Sequence, residues 1–451
     1  MFSRLFLFLS ISSLYIYSEV VDLSQDWEYN SNFTLSDTLE SVIENQIAVL
    51  PNTLGFIIIH KGKIVSENYY NSNINNSINI WSVTKSYIST LLGQAIDMGM
   101  LNDPDSIASS FFPINDISYT DSIKLHHILS MSTGYVDQYI PTDPFTFFFD
   151  PNQWWALNST ETLLNMNHST PGTFYYNNSA CHLNAHALYY GSGMTPSEFA
   201  DSYLFPHLGI YNPTWEAGYL EINDGSAMLH LTLREMVKLG QLYLQSGISG
   251  ENQILSSEWI ERATTSKVET GGNDEYGSFG HYGYLWWLKD ESGTVYRASG
   301  LGGQVIAVFP DYNLVIGAQS NTYGDNILEH SDTINFRIID QIAPIFQDYA
   351  SYTDADYSPK RYILHQNFPN PFNPTTNITY ELPISSLVKI TIYDLSGKKV
   401  EQLVNDRQTS GNKSIIWNAK NENNEKVSAG VYIYSIETSG FKSSKKMLLL
   451  K

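Results

Sequence analysis

The sequence predicts an α+β chain, an antiparallel sheet with flanking helices, followed by a separate all-β unit. Strand patterns stand near the start, at 55–70, and recur in succession at 283–321. Helical patterns fill much of the interval between them. From about residue 364 the helical periodicity gives way to short strands punctuated by turn residues. A length of 451 residues is also more than one ordinary core holds.

The elements follow in order. "GFIIIHKGKIVSENYY" (55–70) sets two apolar runs around His60-Lys61-Gly62-Lys63, a hairpin signature. After a polar Asn/Ser stretch a helix begins near Ser82, with Ile88, Leu91, Leu92 and Ala95 on one side and Gly99 near its end. Residues 101 to about 210 mix short helical patterns with aromatic loops, and "TLREMVKLGQLYLQSG" (232–247) is an amphipathic helix. "GYLWWLKD", "GTVYRASG" and "QVIAVFPDYNLVIGAQSN" read as successive antiparallel strands, and "TINFRIIDQIAPIF" (333–346) as a closing helix. The polar stretch "YASYTDADYSPKRY" then leads into a β unit with turn signals at Gly397, Gly411, Gly430 and Gly440.

Composition excludes several function classes. With 42% hydrophobic and 16% charged residues the chain is globular, and a net charge of −21 excludes a nucleic-acid partner that needs clustered Lys and Arg. The charge is uneven: from Leu364 onward 11 basic and 7 acidic residues give +4, which leaves −25 for the preceding part. "MFSRLFLFLSISSLYIYSEVV" has one Arg, an apolar run to about Tyr17 and small Ser18, which reads as a secretory signal peptide over 1–18. Its apolar run is shorter than the roughly 20 residues needed to span a bilayer, and no transmembrane segment is expected in the mature chain. Cys181 is the only cysteine, so no intrachain disulfide and no Cys-rich metal cluster is expected. The expected division is 19–350 for the α+β part, 351–363 for a linker and 364–451 for the β unit.

Ser-x-x-Lys occurs six times, at Ser82, Ser386, Ser396, Ser410, Ser439 and Ser443, and five of these lie in the β unit. Only Ser82 and Lys85 sit on a predicted helix, where residues three apart share a face. A helix N-terminus favours a developing alkoxide through its N–H groups and dipole. A lysine serves as base when burial disfavours the ammonium form. Downstream lie "LHHILSMSTGY" (125–135), "PGTFYYNNSA" (171–180) with Tyr176-Asn177-Asn178, and "RASGLGGQVIAVFP" (297–310), a Gly-rich entry to a strand whose N–H groups suit an oxyanion hole.

This order of Ser-x-x-Lys, Tyr-x-Asn and a small-residue strand resembles the serine β-lactamase and penicillin-binding-protein superfamily. More narrowly it is similar to the class C-type branch, with its esterases, D-amino-acid peptidases and 6-aminohexanoate-dimer hydrolases. The likeness covers about residues 40–345, with "HKGKIVSENYY", "MGMLNDPDSIASSFFP", "LFPHLGI", "YGYLWW" and "GLGGQ" contributing. It implies a β-lactamase/transpeptidase-like fold with a mostly helical subdomain, Ser82 as acyl-accepting nucleophile and Lys85 as its proton acceptor. Tyr176 would relay the proton to the leaving group and activate the deacylating water, and Asn178 would orient the lysine or a substrate amide. The amide of Ser82 and one from the Gly300–Gly303 stretch, by register Leu301, would form the oxyanion hole, with Ser299 and Gly300 as further substrate- or oxyanion-binding positions. No cofactor and no metal are expected.

Two departures stand out. The segment before the tyrosine is one residue shorter than the common form, which leaves Tyr175-x-Asn177 as a second register. The third motif reads Ala298-Ser299-Gly300, without the usual cation, and Arg297, as a strand neighbour, faces the opposite way. A neutral ester or amide is therefore expected over a β-lactam or a D-amino-acid peptide. A non-catalytic surface binding protein on the same fold is the competing class. His182 and His186 are four apart on a helical pattern, but the zinc-protease glutamate is missing and packing histidines are expected. "PFTFFFDPNQWW" (144–155) reads as an acyl pocket, a lid or core.

The tail, "NFPNPFNPTTNITYELP" through "KKMLLLK", resembles the C-terminal sorting domain of type IX secretion cargo. That implies the type IX machinery as partner and an extracellular or cell-surface location.

Overall fold

The computed structural model describes residues 20–450 apart from 31–32, 34, 113–121, 136–159, 166–167, 272–278, 348–361, 368–369, 409–410 and 439. The signal stretch 1–18 and most of the 351–363 linker lie outside the described residues.

An eight-stranded antiparallel sheet forms the centre of the larger part. Its strands are β1 (Thr53–His60), β2 (Lys63–Tyr69), β3 (Val268–Glu269), β4 (His281–Tyr282), β5 (Trp287–Leu288), β6 (Tyr296–Gly300), β7 (Gln304–Phe309) and β8 (Leu314–Ser320), in the order β2-β1-β8-β7-β6-β5-β4-β3. The β1–β2 hairpin turns at Lys61 and Gly62, both with positive φ, which matches the twist of two joined strands.

The sheet is buried on both faces, and the two-residue period of its strands sorts side chains between two cores. Ile57, Ile59, Ile306, Val308 and Ala298 face one core, packed under the helices α2 (Thr84–Asp97), α3 (Asn178–Ser192) and α4 (Leu233–Leu244). Phe56, Ile58, Val305, Ala307 and Phe309 face the other. That second core is covered by α1 (Asp37–Val42), which continues as a π-helical turn to Ile47, and by the closing segment from α5 (Ile327–Asp332) to Phe346. α4 opens with a capping box in which Thr232 and Glu235 satisfy each other's end of the first turn.

The C-terminal region is all-β among the described residues. Strands β9 (Ile363–Leu364), β10 (Thr376–Leu382) and β13 (Gly411–Trp417) form one sheet. β12 (Lys399–Gln408), β11 (Ser386–Asp394), β14 (Gly430–Glu437) and β15 (Lys442–Leu449) form the other. Ile378, Tyr380, Ile390, Ile392, Trp417, Tyr434 and Ile436 fill a core of its own.

This region touches the larger part away from Ser82. Gln366 N–H donates to the Glu251 carbonyl at 3.0 Å, and Lys445 pairs with Glu251 at 3.3 Å. A cavity lined by Gln94, Met98, Met100, Gln366, Asn367 and Leu450 lies beside that contact. Met98 caps the C-terminal end of α2, about 20 Å along the helix from its start, and Gln94 lies one turn before it. Among the described residues no helix is long and apolar enough to cross a membrane.

Candidate active site

α2 is entered through a strained turn. Trp81–Val83 forms a 3-10 turn, and Trp81 has φ +49, a left-handed conformation unfavourable for a bulky side chain. Asn79 holds the turn by accepting the Trp81 N–H at 2.8 Å and the Met228 N–H at 3.1 Å. Ser82 therefore stands half-exposed at the head of a helix whose residues 83–95 are buried.

Lys85, one helical turn on, is 2% exposed. Its Nζ donates to Ser82 Oγ at 2.8 Å and to the Ser226 carbonyl at 2.8 Å. It also lies over the Tyr176 ring, 5.0 Å from the centroid. Two acceptors and one aromatic face thus use the three donors of an ammonium group, and neither acceptor is a carboxylate.

The turn at Met131–Ser132 fixes the register of the tyrosine. Its carbonyls accept from Tyr175 N–H and Gly172 N–H, each at 2.8 Å. Asn177 then caps α3, its side chain accepting from Ala180 N–H at 2.7 Å while its amide donates to the Tyr135 carbonyl at 3.3 Å. With Asn177 committed to the cap, Tyr175 points outward, 39% exposed, and Tyr176 turns inward over Lys85. Trp287 on β5 stacks against Tyr176 with centroids 5.7 Å apart and planes at 17°, backed by Phe174 and Tyr282. The ammonium meets the ring face of Tyr176. Asn178 opens α3 with its Oδ1 buried and, among the described residues, without a hydrogen-bond partner. Burial pushes the Cys181 thiol up to about 12, which marks it as inert.

The end of β6 closes the other side. A Cβ at Gly300 would lie 2.6 Å from the Ile80 carbonyl oxygen and 3.1 Å from Trp81 Cβ, so only glycine lets the strand pass this close to the turn before Ser82. Leu301 sits in the turn from β6 to β7. Gln304 fastens that turn, its amide donating to the Ser320 carbonyl at 2.7 Å while its oxygen accepts from Ser320 N–H at 3.1 Å. Ser299 is half-buried and Ala298 faces the core beneath α2. Arg297 is on the opposite face, as strand alternation expects. Its guanidinium pairs with the Asp340 carboxylate, donates to the Asn335 carbonyl and lies 4.4 Å from the Phe279 ring centroid.

His182 and His186 are buried on one face of α3, with their Nε2 atoms 3.1 Å apart. Among the described residues no group of three or more His, Cys, Asp or Glu is arranged to hold a metal ion. The aromatic stretch 144–155 lies outside the described residues. Sequence reasoning assigned no role to Asn79, Trp287 or Ser226. "NDGS" (223–226) was a visible turn signature, while nothing around Asn79 marked it out.

The beta-lactamase family model matches residues 51–336, more than half of the chain. The chain belongs to the beta-lactamase family. Members of this family are usually serine hydrolases. A secretion system C-terminal sorting domain matches residues 366–450, and this type IX sorting domain makes the protein a secreted or cell-surface one. An uncharacterized protein of Alkalihalophilus pseudofirmus is 23% identical over 340 residues, covering 65% of this chain and 93% of the relative. The putative 6-aminohexanoate-dimer hydrolase from Bacillus anthracis superposes with a TM-score of 0.56 at 19% identity, covering 74% of this chain and 88% of that one. A putative beta-lactamase from Bacteroides dorei gives 0.56 at 15% identity, covering 69% and 100%. These likenesses share the β-lactamase/transpeptidase fold with this family member.

Burial makes the protein acid-sensitive in a defined window. It lowers His182 from 6.5 to about 3, His186 to about 2, and His60, His126 and His330 to about 4. Between those values and 6.5 the unfolded chain binds protons that the folded chain does not. Stability therefore falls as pH drops below 6.5, by up to about 1.4 kcal/mol per unit for each group. Asp97, raised to about 7 by burial, has the opposite sign and offsets one of them between 7 and 4. Thermal unfolding is expected to show Tm falling by about 5 °C or more from pH 7 to 5. A flat Tm over that range would contradict histidines held neutral in the core.

Proposed function

We propose that the protein is a serine hydrolase that cleaves a small neutral ester or amide through an acyl-enzyme on Ser82. The observation that carries this reading is the 2.8 Å contact between the buried Lys85 Nζ and Ser82 Oγ under the ring of Tyr176. In its neutral form Lys85 takes the hydroxyl proton as Oγ attacks the carbonyl carbon. The amides of Ser82 and Leu301 stabilise the resulting oxyanion. Collapse expels the alcohol or amine, which takes its proton from Lys85 through Tyr176. A water then attacks the acyl carbonyl by the same route in reverse, giving the acid and free Ser82. Asn178, whose buried Oδ1 has no donor among the described residues, orients Lys85 or an amide substrate.

The choice of a neutral substrate rests on β6. Ala298 supplies no charge and Arg297 is engaged by Asp340 on the other face, so the strand offers no cation for a β-lactam or peptide carboxylate. The similar fold of the putative 6-aminohexanoate-dimer hydrolase makes linear amides a class to test beside esters. In this reading residues 1–18 are the export signal, 19–350 the hydrolase, 351–363 a linker and 364–451 the sorting unit.

Ser82→Ala is expected to lower kcat/KM for p-nitrophenyl butyrate by about 10⁴-fold or more, while stability changes by at most about 1–2 kcal/mol. Lys85→Arg should be as damaging as Lys85→Ala, because arginine stays protonated and cannot accept the serine proton. Activity retained in Ser82→Ala, or restored by arginine, would reject the mechanism.

Nitrocefin is expected to be hydrolysed with a lower kcat/KM than p-nitrophenyl butyrate. The reverse order would mean that a cation other than Arg297 serves the site.

A further inference from the structure

The mechanism leaves unexplained why two histidines are buried one turn apart beside Lys85's second acceptor. Gly225 lies flat against α3, where an added Cβ would be 3.0 Å from Ala185 Cβ and 3.4 Å from His182 Cα. Its N–H donates to His182 Nδ1 at 3.0 Å. A backbone N–H can only donate, so His182 Nδ1 is an acceptor and a neutral His182 carries its proton on Nε2. That proton points at His186 Nε2, 3.1 Å away, which must accept it. The remaining proton of His186 is then on Nδ1, donated to Thr160 Oγ1 at 2.6 Å, and Thr160 can donate onward to the Tyr190 hydroxyl at 3.1 Å. The chain has one direction throughout. Asp224 Oδ1, 3.9 Å from His182 Nδ1, is not part of it and accepts instead from the N–H and hydroxyl of Ser226 at 2.7 and 2.8 Å.

We propose that His182 is a positioning residue for Lys85. Its imidazole, locked in one tautomer by His186 and Thr160, fixes the Asp224–Gly225 peptide through the Gly225 N–H, and so sets the start of the short turn whose Ser226 carbonyl aims the Lys85 amine at Ser82 Oγ. Asp224 holds the next peptide of the same turn by accepting the Ser226 N–H and hydroxyl. This inference rests on Ser82 and Lys85 being the catalytic pair. A histidine that merely filled space would be replaceable by any side chain of similar volume. One that positions must keep an acceptor where Nδ1 stands. Asparagine keeps it, since Oδ1 is the same number of bonds from Cα as Nδ1. Glutamine and leucine do not.

The test is the labelling of the full chain by a fluorophosphonate probe, read as separate maximal rate and half-saturating concentration, for His182→Asn, His182→Gln and His182→Leu. Expected is a maximal rate within about threefold of wild type for asparagine and lowered at least 30-fold for glutamine, with the half-saturating concentration little changed in both. The leucine variant should match glutamine; should it fail to fold, the asparagine–glutamine pair decides alone. Equal rates for asparagine and glutamine, or a loss confined to the half-saturating concentration, would overturn the proposal. Ser82→Ala run in parallel separates the two levels. If it still labels, the catalytic pair itself is wrong. If it does not label and glutamine is unimpaired, only the role of His182 fails.

Discussion

A buried amine whose two hydrogen-bond acceptors are a hydroxyl and a carbonyl oxygen is the constraint on which the rest of this site depends. Removing a charged or strongly polar head group from water is costly unless its hydrogen bonds are replaced. Lys85 replaces them with one side-chain oxygen, one carbonyl oxygen and one aromatic face. Each comes from a different stretch of chain: Ser82 from its own helix, Ser226 from the turn before the 229–231 strand, and Tyr176 from the approach to α3. The site can form only if those three stretches are brought together on the face of the sheet that carries α2, α3 and α4.

The supporting contacts share that logic. Asn79 holds the strained Trp81 and the Met228 amide together, which couples the turn carrying Ser82 to the segment carrying Ser226. Gly300 allows β6 to close against the same turn, and Gln304 ties the end of that strand to β8. Trp287 fixes the plane of Tyr176 from the sheet side. The C-terminal region meets the larger part at the far end of α2, beside Gln94 and Met98, so its docking leaves the head of the helix untouched. A module for export is thereby compatible with a site that needs close packing at the opposite end of the same helix.

How much of this was legible in sequence depended on periodicity. Six Ser-x-x-Lys matches were present, and the three-residue spacing has meaning only on a helix. Ser386 and Lys389 lie on β11, where residues three apart face opposite ways, whereas Ser82 and Lys85 meet across one helical turn. Alternation likewise assigned Arg297 to the far face of its strand, but its partner Asp340 lies in the closing segment and could not be foreseen. The choice between Tyr175 and Tyr176 was open because local spacing permits both. In the fold it is Tyr176 that stands over Lys85, a placement set by the capping role of Asn177 and by the Met131–Ser132 carbonyls about 40 residues upstream. The Ser226 carbonyl was invisible for a simpler reason: a backbone oxygen has no residue type to betray it. The pairing of His182 with Gly225 similarly joins groups more than 40 residues apart.

The central claim is that one serine in this chain is activated by its lysine and accepts an acyl-type adduct. Peptide mapping after reaction of the full chain with a fluorophosphonate tests it most directly. The account predicts one adduct per chain, on the peptide that carries Ser82, and none in the Lys85→Arg variant under the same conditions. An adduct on another residue such as Ser386, or undiminished labelling of Ser82 without Lys85, would contradict it.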